Sequence, residues 1–289
     1  MVLFKELTMS SNIYFNTRSK FTIRRSMINI GTRLHHSIAP KHAIKTTRNL
    51  LLTPVRSTSN SDDPVGLLRS THLTSEGRLN TYQIGNGPVW ILSHGWSGSA
   101  SQFFPLMEHI AAQGFTALAY DHPAHGQSEG RHAHLPAFVQ AFDELVDNVD
   151  DVAGIIAHSM GSASVLESRH PKVESLPLLL IAPVLNYVDN LYDMVGKSGY
   201  SMKLFGAMIE HIEDKYEYSL DTINPYQKLV SRHHATTIVH DKRDRFADFA
   251  TSELAANAAT KITLIPTQGQ GHGRVIKCDS TMAAFDSLI

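Results

Sequence analysis

An α/β fold, with a mostly parallel sheet and helices on both faces, is what this 289-residue chain predicts. Two observations carry the prediction. From about residue 79 onward, short apolar runs of strand length alternate with longer segments of helical spacing. Runs this apolar suit strands covered on both faces, and the helical stretches between them supply the crossovers that parallel strands need. No repeat period or low-complexity tract points to a solenoid.

The elements follow in order. "LNTYQIG" (79–85) reads as an early strand, closed by the turn signal "GNGP". "VWILSH" (89–94) and "FTALAYD" (115–121) are strands, separated by a helix over about 100–113. A helix over about 135–149 leads to the strand "VAGIIAH" (152–158), and a small-residue helix follows over about 160–170. "LPLLLIAPV" (176–184), "ATTIVHD" (235–241) and "KITLIPT" (261–267) complete the strands, with a helix over about 247–258 before the last. The interval 184–235 is too long for one crossover, and a structureless loop of that length would be unusual. Within it "SMKLFGAMIEHI" (201–212) places Met202, Phe205, Met208, Ile209 and Ile212 at helical spacing, so a helical cap is expected over about 185–234.

Charge divides the chain. Residues 1–60 hold ten Lys/Arg against one acid, Glu6, whereas the whole chain carries −1, so residues 61–289 are acidic by about −10. The polar "TSNSDDP" (58–64) reads as a linker, giving a basic N-terminal extension (1–60) and one domain (61–289) that contains the cap. The extension lacks the continuous apolar core of a secretory signal. Its Arg- and Ser-rich, acid-poor composition is compatible with an organelle transit peptide, with a basic arm making weak contact with a membrane surface, or with a plain extension. As an arm separable from the domain, residues 1–48 are expected to be dispensable for turnover. The longest apolar run, "LPLLLIAPVL" (176–185), is too short to span a bilayer as a helix. Cys278 is the sole cysteine, so no internal disulfide forms, which fits a reducing compartment and an expected cytoplasmic location, peripheral to a membrane if the arm touches lipid.

The chemistry gathers around "VAGIIAHSMGSASVL" (152–166). Ser159 stands where a buried strand turns into a helix, flanked two residues away by Ala157 and Gly161. A turn this sharp leaves room only for small flanking residues and holds the serine clear of its own backbone, as a nucleophile requires. A base must take the hydroxyl proton, and "GQGHGRV" (269–275) offers His272 after the last strand. An acid must orient that histidine, and the loop after "ATTIVH" offers Asp244, which we favour, and Asp241, with Asp248 a third choice. Two N–H donors are needed where oxyanion charge develops; Met160 supplies one and Trp96, in "SHGWSGSASQF" (93–103), the other. The Trp96 ring is a candidate for lining the substrate pocket, as are the cap residues Tyr187, Tyr192, Met202 and Phe205, whose apolar character suits an acyl or aryl group. His94 is read as a brace for its loop. Four histidines crowd "DHPAHGQSEGRHAH" (121–134), yet no strong metal-ligand spacing emerges. There is no Gly-rich phosphate loop or dinucleotide fingerprint, and no metal, cofactor or nucleic-acid partner is expected.

In order, "SHGWSG", "AYDHPAHGQSEG", "AHSMG", "HDKRD" and "GQGHG" resemble the motifs of the α/β-hydrolase superfamily, over about residues 79–289. The second is similar to the family's D-x-P-G-H-G-x-S turn, with Ala124 in place of a glycine; the resemblance implies a structural role for Asp121, His125, Gly126 and Ser128. It also implies the chain order Ser159, acid, His272, and a cap inserted after the strand that follows the nucleophile. "LLLTPVRS" (50–57) looks like a segment ahead of the core in some bacterial members, which favours an arm over a transit peptide. A serine at the elbow argues against dehalogenases and epoxide hydrolases, which carry an aspartate there. The expected activity is hydrolysis of carboxylic esters or thioesters of small or acyl substrates through an acyl-enzyme on Ser159. The alternatives are a lyase, a cofactor-free peroxidase or a binding protein of the same fold.

Overall fold

The computed structural model describes residues 23–57 and 62–289. Residues 1–22 of the predicted basic arm and 58–61 of the predicted linker lie outside the described residues. The chain divides into two compact units, residues 56–186 with 224–289, and residues up to 55 with 187–223.

The smaller unit is helical. It contains α1 (Ile23–Ile38) and α2 (Pro40–Leu51), joined through Ala39. It also contains α7 (Tyr187–Ser198) and α8 (Met202–Tyr216), which follow the sixth strand in the chain. Ala43, Leu51 and Leu52 pack with Val195, Tyr200, Leu204, Phe205, Met208 and Ile212 into one buried cluster. Polar contacts pin the same helices: the hydroxyls of Thr47 and Tyr200 lie 2.9 Å apart, and Ser201 N–H donates to Thr32 Oγ1 at 3.1 Å. Residues 23–52 are therefore part of a folded unit with the inserted helices, where the sequence suggested a separable extension. The physical reason is that neither α2 nor the inserted helices can bury their apolar faces alone, and each supplies the other's missing side. The inserted segment of this unit is also shorter than the interval 185–234, because residues from Asn224 onward belong to the larger unit.

The larger unit is an eight-stranded sheet. β1 (Leu68–Thr74) and β2 (Gly77–Ile84) form an antiparallel hairpin, and β2 pairs antiparallel with β4. β3 (Val89–Ser93), α3 (Phe104–Ala112), β4 (Thr116–Tyr120), α4 (Leu135–Asp147) and β5 (Val152–His158) follow. Then come α5 (Met160–Leu166), α6 (Pro171–Ser175) and β6 (Leu178–Ile181). After the helices of the smaller unit the chain continues with α9 (Pro225–Ser231), β7 (Thr236–Asp241), α10 (Phe249–Ala258) and β8 (Ile262–Thr267). It closes with α11 (Gly271–Arg274) and α12 (Asp279–Asp286). The sheet order is β1-β2-β4-β3-β5-β6-β7-β8, and β4 through β8 are parallel.

Strand periodicity sorts the core into two layers. Trp90, Leu92, Ala117, Ala119, Ile156, Leu179 and Ile181 pack under α3 and α12. The alternate residues Ile91, Leu118, Ile155, Ala157, Leu178 and Leu180 pack under α4, α5 and α10. Both faces of the sheet are thus buried, which is why its strands read as continuous apolar runs. β1 escaped the sequence reading because it is an edge strand whose first four residues are exposed, so "LRSTHLT" shows no apolar run. One glycine is demanded by packing: a Cβ at Gly154 would lie 2.4 Å from the Trp90 ring.

Candidate active site

Ser159 follows the last residue of β5 and precedes the first of α5. Its backbone sits at φ 55, ψ −122, a region that L-residues rarely adopt and that costs about 1–3 kcal/mol. The small neighbours account for the fit. A Cβ at Gly161 would lie 2.5 Å from the Ser93 carbonyl and 2.6 Å from the His94 carbonyl, so only glycine lets α5 start against β3. A Cβ at Gly95 would lie 2.7 Å from Ser159 Cβ, so the loop after β3 passes directly beside the serine.

The loops after β7 and β8 complete the constellation. Ser159 Oγ lies 2.8 Å from His272 Nε2, and His272 Nδ1 lies 2.7 Å from Asp244 Oδ2. The Asp244 side chain is fully buried and that of His272 is partly exposed. Asp244 Oδ1 accepts the Phe246 and Ala247 N–H groups at 2.8 and 3.1 Å, which leaves Oδ2 for the imidazole. Burial works to raise the Asp244 pKa, but His240, His272 and the Phe246 N–H outweigh it and hold the carboxyl well below the usual range. These partners favour its charged form.

Asp241 has a different occupation. Its Oδ1 accepts the Arg243 N–H at 2.9 Å, and its Oδ2 accepts the Gln270 N–H at 2.7 Å and the Thr267 hydroxyl at 3.1 Å. Asp241 therefore ties the loop after β7 to the loop that carries His272. Burial opposes ionisation here too, yet these hydrogen bonds lower its pKa. Asp248 caps α10 through the Ala250 N–H at 3.1 Å.

Several residues that the sequence reading did not single out hold these parts in place. His158 Nε2 lies 3.0 Å from the His272 carbonyl, and burial, then the neighbouring His272, lowers the His158 pKa to about 3. A neutral His158 with its proton on Nε2 donates to that carbonyl and tethers the loop after β8 beside the serine. His240 Nε2 approaches Asp244 Oδ2 at 3.3 Å, without the alignment of a good hydrogen bond, and its Nδ1 lies 2.8 Å from Ser252 Oγ. Phe246, 47% exposed, sets its ring edge-on to His272 with centroids 5.3 Å apart. None of these carries a local sequence signal, because each acts only through loops brought together by the sheet.

The loop after β3 is braced as read. Buried His94 presents Nδ1 to the Gly95 carbonyl at 2.7 Å and accepts the His122 N–H on Nε2 at 3.0 Å; burial pushes its pKa down to about 4. His125 Nε2 accepts the Ser97 N–H at 2.9 Å, and His122 stacks on Phe138 with centroids 3.7 Å apart. Asp121 accepts from Tyr82 OH and the N–H groups of Ala100 and Gln127, and Ser128 Oγ donates to the Asp121 carbonyl. Arg56 clamps the same turn through the carbonyls of Gly126, Ser128 and Gly130, each at 2.8 Å. Ala124 occupies φ 65, a conformation better suited to the glycine it replaces. Among the described residues no group of three or more His, Cys, Asp or Glu side chains converges as a metal site would.

Trp96 is half-buried and sets its ring edge-on to His125, with centroids 5.6 Å apart; Met160 is buried as the first residue of α5. The predicted cap residues all lie in the helical unit. Phe205 is buried there, against Tyr192, and lines a small apolar pocket with Leu51, Leu52 and Leu191. Tyr192 and Met202 are each 41% exposed, and Tyr187 opens α7.

A mostly parallel sheet of this order, with helices on both faces and a serine at the elbow after β5, defines an α/β-hydrolase. Residues 88–265 match the family described as serine aminopeptidase, S33, and the chain belongs to that family. It is 27% identical over 164 residues to a monoacylglycerol lipase of Mycolicibacterium smegmatis, covering 53% of this chain and 56% of that protein. It is 29% identical over 158 residues to a putative non-heme haloperoxidase of Mycobacterium phage D29, covering 48% and 54%. The chain thus spans about half the length of the curated relatives it matches. Its fold is similar to that of a Pyrococcus furiosus esterase, with a TM-score of 0.58 at 18% identity over 82% of this chain and 96% of the other.

Proposed function

We propose that the protein hydrolyses carboxylic esters or thioesters of small or acyl substrates through an acyl-enzyme on Ser159. The observation that carries this reading is the Ser159–His272–Asp244 relay, with hydrogen-bond distances of 2.8 and 2.7 Å. His272 Nε2 takes the hydroxyl proton as Ser159 Oγ attacks the carbonyl carbon, and the cation so formed is stabilised by the Asp244 carboxylate. The N–H groups of Met160 and Trp96, on the two backbone segments flanking Ser159, stabilise the oxyanion. His272 then protonates the departing alcohol or thiol, and water activated by the same imidazole releases the acid. Trp96, in the loop after β3, is a proposed substrate contact of the larger unit.

A fluorophosphonate probe tests the reading. Wild-type protein should be labelled and Ser159→Ala should not, while the variant loses about 10⁴-fold or more in hydrolysis of a small chromogenic ester. Unlabelled wild-type protein, or near-normal hydrolysis by Ser159→Ala, removes the mechanism. The likeness to a protein named a haloperoxidase favours a second reading, a cofactor-free peroxidase working on the same triad. Oxidation of halide in the presence of hydrogen peroxide, without turnover in a panel of esters and thioesters, would select it.

A further inference from the structure

Helix α1 packs the wrong face. Its apolar residues Ile23, Met27, Ile30, Leu34 and Ile38 are 82, 67, 66, 57 and 75% exposed. At about 100° per residue these five fall within one stripe about 80° wide running the length of the helix. The opposite face, which turns toward the rest of the helical unit, is largely polar. Arg25 donates to the Gly196 carbonyl at 2.6 Å, Thr32 accepts the Ser201 N–H at 3.1 Å, and Ile28 alone of its apolar residues joins the buried cluster. A helix whose outer face met only water would be arranged the other way round. A stripe this regular marks a surface that another apolar phase covers.

Charge chooses the phase. Residues 23–52 contain six Lys/Arg and no acid. Exposed Arg24 and Arg33 stand on the two flanks of the stripe, about 80–100° from its centre. Cations bordering an apolar stripe match the level of lipid phosphates when the helix lies flat with its stripe in the acyl boundary. Two copies of α1 packed stripe to stripe would instead oppose Arg24 and Arg33 with no acid from either helix pair between them. From this juxtaposition we infer that α1 is an interfacial helix that seats the protein on an anionic lipid bilayer, inserting Met27, Ile30 and Leu34 while Arg24 and Arg33 engage headgroup phosphates. The sequence-level expectation of a merely electrostatic arm becomes a defined insertion face. Lipid binding by this face does not depend on the proposed ester hydrolysis.

Co-sedimentation of the full chain with vesicles tests the inference without any turnover assay. Wild-type protein should pellet with phosphatidylcholine vesicles containing about one-third phosphatidylglycerol, and far less with phosphatidylcholine alone. Binding should weaken in about 1 M salt, where charge attraction is screened within ~3 Å. The double variant Ile30→Gln/Leu34→Gln should bind about tenfold more weakly or worse, and Arg24→Glu/Arg33→Glu similarly, both with unchanged thermal midpoints because these side chains face water. Equal pelleting of the Ile30→Gln/Leu34→Gln protein would overturn the inference. So would absence of pelleting by the wild type, and in that case a concentration-dependent dimer abolished by the same variant would assign the stripe to a second copy of the chain.

Discussion

Replacing Asp244 by asparagine tests the relay at the point where the structure makes the sharpest commitment. Asp244 Oδ1 accepts two backbone N–H groups, from Phe246 and Ala247, while Oδ2 faces His272 Nδ1 at 2.7 Å. In Asp244→Asn the amide oxygen must stay with the two backbone donors, because turning the NH₂ toward them would set donor against donor. The NH₂ group therefore faces His272 and forces Nδ1 to accept. The imidazole proton then moves to Nε2, where Ser159 needs a lone pair. A reversed tautomer leaves the serine without a base, and kcat/KM for a small chromogenic ester should fall by about 10⁴-fold, equivalent to about 5 kcal/mol. Asp241→Asn keeps the tautomer and leaves a donor facing the Gln270 N–H. It should lower stability by about 1–3 kcal/mol while turnover stays within about tenfold. Because the folded pKa of Asp244 is depressed, its charge stabilises the fold above the unfolded value near ~4 and that contribution is lost as pH falls further. The stability gap between wild type and Asp244→Asn should accordingly narrow below about pH 4 in denaturant titrations. Turnover by Asp244→Asn within tenfold of wild type, or a loss in folded Asp241→Asn as large as in Asp244→Asn, would refute the assignment.

Three further expectations rest on packing and backbone conformation. Ser159→Gly should be more stable than Ser159→Ala by about 1–2 kcal/mol, since only glycine relieves φ 55, and equal thermal midpoints would deny the strain. Gly154→Ala drives a methyl to 2.4 Å from the Trp90 ring and should cost about 1–3 kcal/mol, seen as a thermal midpoint lowered by several degrees with kcat unchanged. Deleting residues 1–51 should not be silent, because it uncovers Leu204, Phe205 and Met208, each worth about 1.5–3 kcal/mol of burial. Increased binding of an apolar dye and a lost or lowered unfolding transition are expected, and an unaltered midpoint would restore the separable-arm view.

The sequence by itself determined the layered α/β architecture, the order of its strands along the chain and the candidacy of Ser159 and His272. Those signals are local: a strand is written as an apolar run, and an elbow needs small residues two positions either side of its serine. It favoured Asp244 over Asp241, three residues away in the same loop, but only the tertiary structure decides which carboxylate meets the Arg243 and Gln270 amides and which meets the imidazole. Nor could it see the support given by His158 and His240, or the hairpin strand β1, which lies at the sheet edge with too few buried residues to show a pattern. The largest decision left to tertiary structure concerns residues 23–52. Their core partners lie more than 130 positions further along the chain, in α7 and α8, so no window of sequence contains both halves of the cluster. Hydrophobic spacing announces that α1 has an apolar face, but packing alone decides that this face points outward. The reason is that Arg25 and Thr32, on the other side, are the residues with partners to meet.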